Sequence, residues 1–325
     1  MDFARFAVDT RPICVQDPEI LERNREFLAR VDCTYFIYLA DVHAAQLDGE
    51  NAQAAALSLR AAYSHGLEAL FAFLGALIQA PECVYGWLAK YRNHELASLI
   101  GKIGSGKPVL TKLHAKILKW NDLSAVVHEG LVLQRTQAIK EGYARLWQRF
   151  ATDFLNKEFQ DEYNSIKHGF RAKSGGFTLA IGPEEVPGVQ CPPEKMVSLG
   201  GSEYGSVIFA VESLAKGDGI NFRSRRRLRN WSPVNFGNAL HLIAMSLNNI
   251  TGRLRIQAGD DPTKIQYRHP TDLESFEVPW REAPGVLASA IDYEVDRSLL
   301  PLLDKDQVLS VYPNYQPGAK GAAGS

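Results

Sequence analysis

Residues 161 to 171 read DEYNSIKHGFR and hold a dense set of groups able to act on a phosphodiester. On a helix, Asn164 and His168 stand one turn apart on one face, with Lys167 and Arg171 beside them. Imidazole moves protons near neutral pH, and a lysine or arginine neutralises phosphate. His168 as acid/base, with Asn164, Lys167 and Arg171 around it, therefore suits RNA binding or metal-free cleavage. A plainer reading competes with it. Cations are favoured at the carbonyl end of any helix, and Gly169 is suited to a helix C-cap.

Two further sets carry chemistry. Phe222 to Trp231 contains Arg223, Arg225, Arg226, Arg227 and Arg229 flanked by aromatic residues. Guanidinium groups grip phosphates in bidentate fashion, and Phe222 or Trp231 can stack on a base. The alternative is a solvated loop whose arginines pair with the protein's own carboxylates. The other set is Arg60, His65 and Glu68. His65 and Glu68 share a helical face, and within an apolar helix such a pair is commonly a satisfied buried contact, because an unpaired buried carboxylate is costly.

Other motifs fail on their chemistry. Gly101 to Lys107 fits the glycine and lysine spacing of a phosphate-binding loop, but Pro108 stands where a magnesium-binding hydroxyl is required. A nucleoside-triphosphate enzyme survives only if a strand feeds Gly101. His94-Glu95 and His128-Glu129 begin a zinc motif that no second histidine completes, and the four cysteines are widely spaced. No G-x-S-x-G occurs. No metal and no cofactor are expected.

These residues need elements to hold them. The 325 residues are 46% hydrophobic, enough to fill a core, and 36 basic against 37 acidic side chains exclude a whole-molecule field drawing it to nucleic acid or membrane. The N-terminus lacks an apolar signal core and the cysteine usage suits a reducing compartment, so a cytoplasmic protein is expected. Breakers predict a helix from Asp17 to about Leu47, a second from Asn51 to Ala80, a third from Pro108 toward Trp120, and a long stretch from Asp122 to His168 broken near Gly130. The Leu67 to Ile78 segment is apolar on every side except Glu68, which predicts the most buried helix. Beyond Ser174 the texture shifts to short β-like runs, Phe177 to Ile181 and Val207 to Val211, then a helix from Pro233 to about Thr251 and a proline-rich wrap. The expected fold class is mainly α: a four- to five-helix bundle with a small β-hairpin or sheet insertion and an irregular C-terminal segment. The expected divisions are 1–171, 172–315 and a flexible tail, 316–325.

The string Tyr163-Asn164-x-x-Lys167-His168-Gly169 closing a long helix resembles the terminal helix of HEPN-like domains, and the His65 to Glu68 turn resembles helices of similar bacterial proteins. Those are helical domains of prokaryotic stress and phage-defence systems, often dimeric, many of which bind or cleave RNA without a metal. The resemblance covers residues 17 to 171. It implies an RNA partner, a homodimer, and a metal-independent ribonuclease. Active members carry arginine followed by four to six residues and then histidine; positions 161 to 163 hold no arginine before His168, and Arg60 to His65 is the match to that spacing. The competing expectation is a non-catalytic helical scaffold that pairs with itself or with another helical protein.

Overall fold

The computed structural model describes residues 3–131, 135–168, 171–184, 186–189, 191–214, 220–291 and 302–315. The chain opens on a hairpin, β1 (Phe3–Val8) and β2 (Arg11–Gln16), in which Ala4, Phe6 and Val8 alternate inward. Its two-residue turn places Asp9 at φ 53, and the buried Gln79 amide fixes that turn by bonding both the N–H and the C=O of Asp9. Helices α1 (Ile20–Ala29) and α2 (Tyr35–Ala44) follow, so the predicted helix from Asp17 to Leu47 is broken in the middle.

The central element is α3 (Ala52–Gln79), buried on all sides from Leu70 to Gln79, as its apolar run predicts. It is long and apolar enough to cross a membrane, yet 67% of its most apolar window is buried within the protein. Around it pack α4 (Val84–Lys90), α5 (Asn93–Gly104), α6 (Trp120–Val127), α7 (Thr136–Leu155), α8 (Lys157–Lys167) and, after a β-rich segment, α9 (Pro233–Gln257). Gly66 lets α9 approach closely, facing Ile243 and Leu240. One hydrophobic cluster takes in α3, α7 and α9.

The β-rich segment holds β3 (Ala172–Ser174), β4 (Thr178–Ile181), β5 (Val197–Gly201), β6 (Gly205–Ser213), β7 (Phe222–Asn230) and β8 (Ala288–Ile291); α10 (Lys305–Leu309) closes the chain. β3, β6, β7 and β8 make an antiparallel sheet in that order, while β4 and β5 form a separate pair.

Ten helices and eight strands in three sheets, among the described residues, make this an α/β mixture and not a mainly α four- to five-helix bundle. The bundle expectation fails for identifiable reasons. Strands β1 and β2 precede the first helix. The two predicted β runs do not pair with each other but enter different sheets. Residues 105 to 119 form no helix; Pro108 bridges to Ile117 instead, after Gly106 turns the chain at φ 65. The arginine cluster is a strand with neighbours on both edges. Gly252 does not end α9, which runs one and a half turns further. The 316–325 tail and Gly169 lie outside the described residues.

Candidate functional site

Asn156 sets the geometry of the site. Its side chain accepts the N–H groups of Glu158 and Phe159, ending α7 and starting α8 at a new angle. The redirected α8 lies against α3, and between them Arg60 and Glu162 form a sealed ion pair. Arg60 Nε donates to Glu162 Oε2 at 2.9 Å and Nη1 to Ser64 Oγ at 2.7 Å, with both charged side chains at most 1% exposed. Glu162 Oε1 accepts from Ser206 Oγ and, at 3.1 Å, from Trp231 Nε1. Burial alone would raise the Glu162 carboxyl; the charge of Arg60, these two donors and the charge of Arg229 outweigh it and hold the pKa below the usual range. The Arg60 guanidinium also lies over Phe159 at 4.7 Å and Phe236 at 5.2 Å.

Three hollows lie near this pair, two of them lined in part by Arg60. The first, about 420 Å³, lies between α3, α5, α7 and α8 and is lined by Arg60, Ser64, Glu68, Asn93, His94, Asp153, Phe159, Gln160, Tyr163 and Asn164 among others. The second, an open groove of about 480 Å³, shares Glu68 and Tyr163 with it and adds His65, Tyr91 and Lys167. Tyr91 donates to Glu68 at 3.0 Å; burial raises the tyrosine pKa, and the neighbouring carboxylate raises it further. Lys167 Nζ sits 5.6 Å from the Tyr163 ring. His65 meets Phe36 and Tyr35 edge-on. The third hollow, about 280 Å³, lies across Arg60, Asp153 and Phe159 from the first.

The two sets of helical residues named from sequence therefore converge. Arg60, Glu68 and Asn164 line one hollow, and His65, Glu68 and Lys167 line its neighbour. Others stay apart. His168 is exposed, lines neither hollow, and is held through its backbone N–H to Asn164 O. Arg171 donates to the same carbonyl at 3.3 Å. Arg60 is a buried structural cation rather than a free one.

The arginine cluster changes meaning. Arg223, Arg225, Arg227 and Arg229 alternate onto the face of β7 that turns toward α8, while Arg226 is exposed on the other face. Arg223, Arg225 and Arg227 all donate to Glu212, Arg227 also reaches Asp161 at 3.3 Å, and Arg229 pairs with Glu158. Burial pushes Glu212 upward, but hydrogen bonds from Arg227, Arg225 and Arg223 outweigh it and hold the carboxyl at about 2. Four of the cluster's five arginines are thus engaged by three of the protein's own carboxylates, Glu212, Asp161 and Glu158. Trp231 is buried and directed to Glu162, which removes it as a stacking platform for a base.

The chain matches no family model, no curated protein and no solved structure. The chemistry of the site therefore rests on its own side chains. Sequence reasoning missed Tyr91, Tyr163, Asn93, Asp153, Phe159 and Gln160 as wall residues. Phe159, Tyr163 and Lys167 recur at four-residue spacing, a signal that one face of α8 carries rings and a cation. Among the described residues no group of three or more His, Cys, Asp or Glu side chains is arranged to hold a metal ion. No strand feeds Gly101, which lies inside α5, so the triphosphate-loop reading has no structural support.

Proposed function

We propose that this chain is an RNA-associated cytoplasmic protein of the HEPN-like stress or defence kind, acting by binding rather than by demonstrated cleavage. The observation that carries this reading is the joined pair of hollows between α3 and α8. Tyr91 and Tyr163 supply rings on which bases stack, Lys167 supplies positive charge for phosphate, His65 supplies a ring N–H, and Asn93, Asn164 and Gln160 supply amides that read base edges. Glu68, shared by both hollows, is placed to accept from a ribose hydroxyl, a group RNA has and DNA lacks. Catalysis has weaker support, because His168 stands outside both hollows.

The test is fluorescence anisotropy with a labelled single-stranded RNA and its DNA counterpart. Lys167→Ala and Tyr163→Ala are expected to weaken RNA binding, each by about tenfold, and the parent is expected to prefer RNA over DNA. His168→Ala should bind as the parent does and change stability by no more than about 1 kcal/mol. No saturable RNA binding, or binding unchanged in both groove variants, would overturn the reading. Cleavage by the parent that is lost in His168→Ala would restore the ribonuclease form.

A second reading, a non-catalytic scaffold, is favoured by the outer face of the sheet. There Phe209, Val211 and Phe222 are more than half exposed on adjoining strands.

A further inference from the structure

The third hollow contains a hydrogen-bonding arrangement that the fold leaves incomplete. Asp153, in the last turn of α7, accepts the Tyr63 hydroxyl at 2.6 Å and the Trp280 indole N–H at 3.4 Å, both at Oδ2. Oδ1 has no hydrogen-bond partner among the described residues, and Asp153 lines this hollow as well as the first. A carboxylate oriented by two donors on one oxygen presents the other to whatever enters. The space before it is bounded by the rings of Phe159, Phe236 and Trp280. Arg149 is exposed on the same wall, its guanidinium 5.2 Å from the Trp280 ring, and no carboxylate among the described residues is paired with it.

These features specify a guest. Flat rings select a planar heteroaromatic group, since stacking surface dominates such walls. The oriented Oδ1 selects a ring bearing an N–H, as an acidic side chain does when it accepts from a base amino group. The exposed arginine, one turn before Asp153 on α7, selects an anionic group on the guest, where its fork can engage a phosphate. At about 280 Å³ the hollow is at the small end for ligand sites and suits a single base.

We infer that this hollow is a mononucleotide site, which takes the base of a ribonucleoside monophosphate between Phe159 and Trp280, its N–H on Asp153 Oδ1 and its phosphate on Arg149. The site stands apart from the RNA groove, sharing a wall with the first hollow but none of the groove residues Lys167, Tyr163, His65 and Glu68.

Trp231 and Trp280 line the hollow, so occupancy reports itself in tryptophan fluorescence. The four ribonucleoside monophosphates and their parent nucleosides are titrated into the full chain. At least one monophosphate should give a saturable change and bind more tightly than its nucleoside. Asp153→Asn preserves an oxygen for Tyr63 and Trp280 but replaces the free acceptor by an N–H₂ donor, so binding should fall by about tenfold or more at an unchanged melting temperature. Arg149→Gln should abolish the difference between monophosphate and nucleoside. Lys167→Ala should leave mononucleotide binding intact, which separates this site from the groove. No saturable change with any of the four, or equal binding by the parent and Asp153→Asn, would overturn the inference; if Asp153→Asn melts early, the Arg149→Gln comparison decides it.

Discussion

Arg60 and Glu162 lie 102 positions apart in sequence and are joined as an ion pair with no solvent access, Nη2 2.8 Å from Oε2. Desolvating two charges is expensive, and the cost is offset by donors from Ser206 and Trp231 to Glu162, by the Arg60 bond to Ser64 and by the Phe159 and Phe236 rings. Arg60 Nη2 has only its ion-pair contact with Glu162 and no hydrogen bond of its own among the described residues. Removing one partner leaves the other charge buried and alone. Glu162→Ala should therefore destabilise the protein by about 3–5 kcal/mol in chemical denaturation. The double variant Arg60→Met with Glu162→Leu should lose less than the single change. A double variant worse than Glu162→Ala would show that the pair is a minor contributor beside the packing of its stems.

Glu212 is the carboxylate on which three arginines of β7 depend. Its pKa is depressed, so it contributes stability that is present above about 4.5 and lost as pH falls toward about 2. Glu212→Gln crowds Arg223, Arg225 and Arg227 without their shared anion and should lower stability by about 1 kcal/mol or more, with a deficit that shrinks in high salt. Arg226→Gln, on the exposed face, should stay within about 0.5 kcal/mol of the parent. Equal losses for the two changes would refute the assignment of the cluster to structure.

His128 is buried against Tyr143 and Trp147, its Nδ1 2.8 Å from Ser124 O and its Nε2 3.0 Å from the Asn249 amide nitrogen. That pattern fixes the neutral tautomer with the proton on Nδ1 and an acceptor at Nε2. Burial pushes its pKa down to about 4. The unfolded chain takes up the proton first, so the contribution is complete above about 6.5, falls between there and about 4, and is flat below. Integrated over that window it amounts to about 3 kcal/mol. The check is the difference in unfolding free energy between the parent and His128→Gln, measured from pH 7.5 to pH 4; parallel curves would sink the assignment.

Helices whose apolar pattern spans the whole circumference or recurs at helical spacing were legible in the sequence: α3 ends within a residue of the expected Ala80, ahead of the breaker Pro81, and α9 starts at Pro233. The hairpin β1–β2 was not, because Arg5 and Arg11 interrupt two short runs whose inward positions include the small Ala4. The strand β7 was hidden for a different reason. A run of arginines reads as solvated charge, whereas its two-residue alternation places four of them over the acidic residues Glu158, Asp161 and Glu212. For the site, each helix announced its own polar residues, but their meeting depends on how α8 packs on α3. Asn156 determines that angle, and a capping asparagine in mid-stretch is a weak signal without a glycine or proline beside it.

The carboxylate of Glu162 gathers donors from positions 60, 206 and 231, so one buried group spans 171 residues of chain. Its environment cannot be completed until the sheet has returned across α8, which puts much of the loop-closure entropy ahead of the last polar contacts and favours slow, concerted folding. A fragment ending at Arg171 would contain every helix of the expected N-terminal bundle and still leave Glu162 short of two donors and α3 bare where Leu240 and Ile243 cover it. The helical half and the β-rich half are thus parts of one folding reaction, and expressed separately each would present to the cell the surface that the other was built to cover.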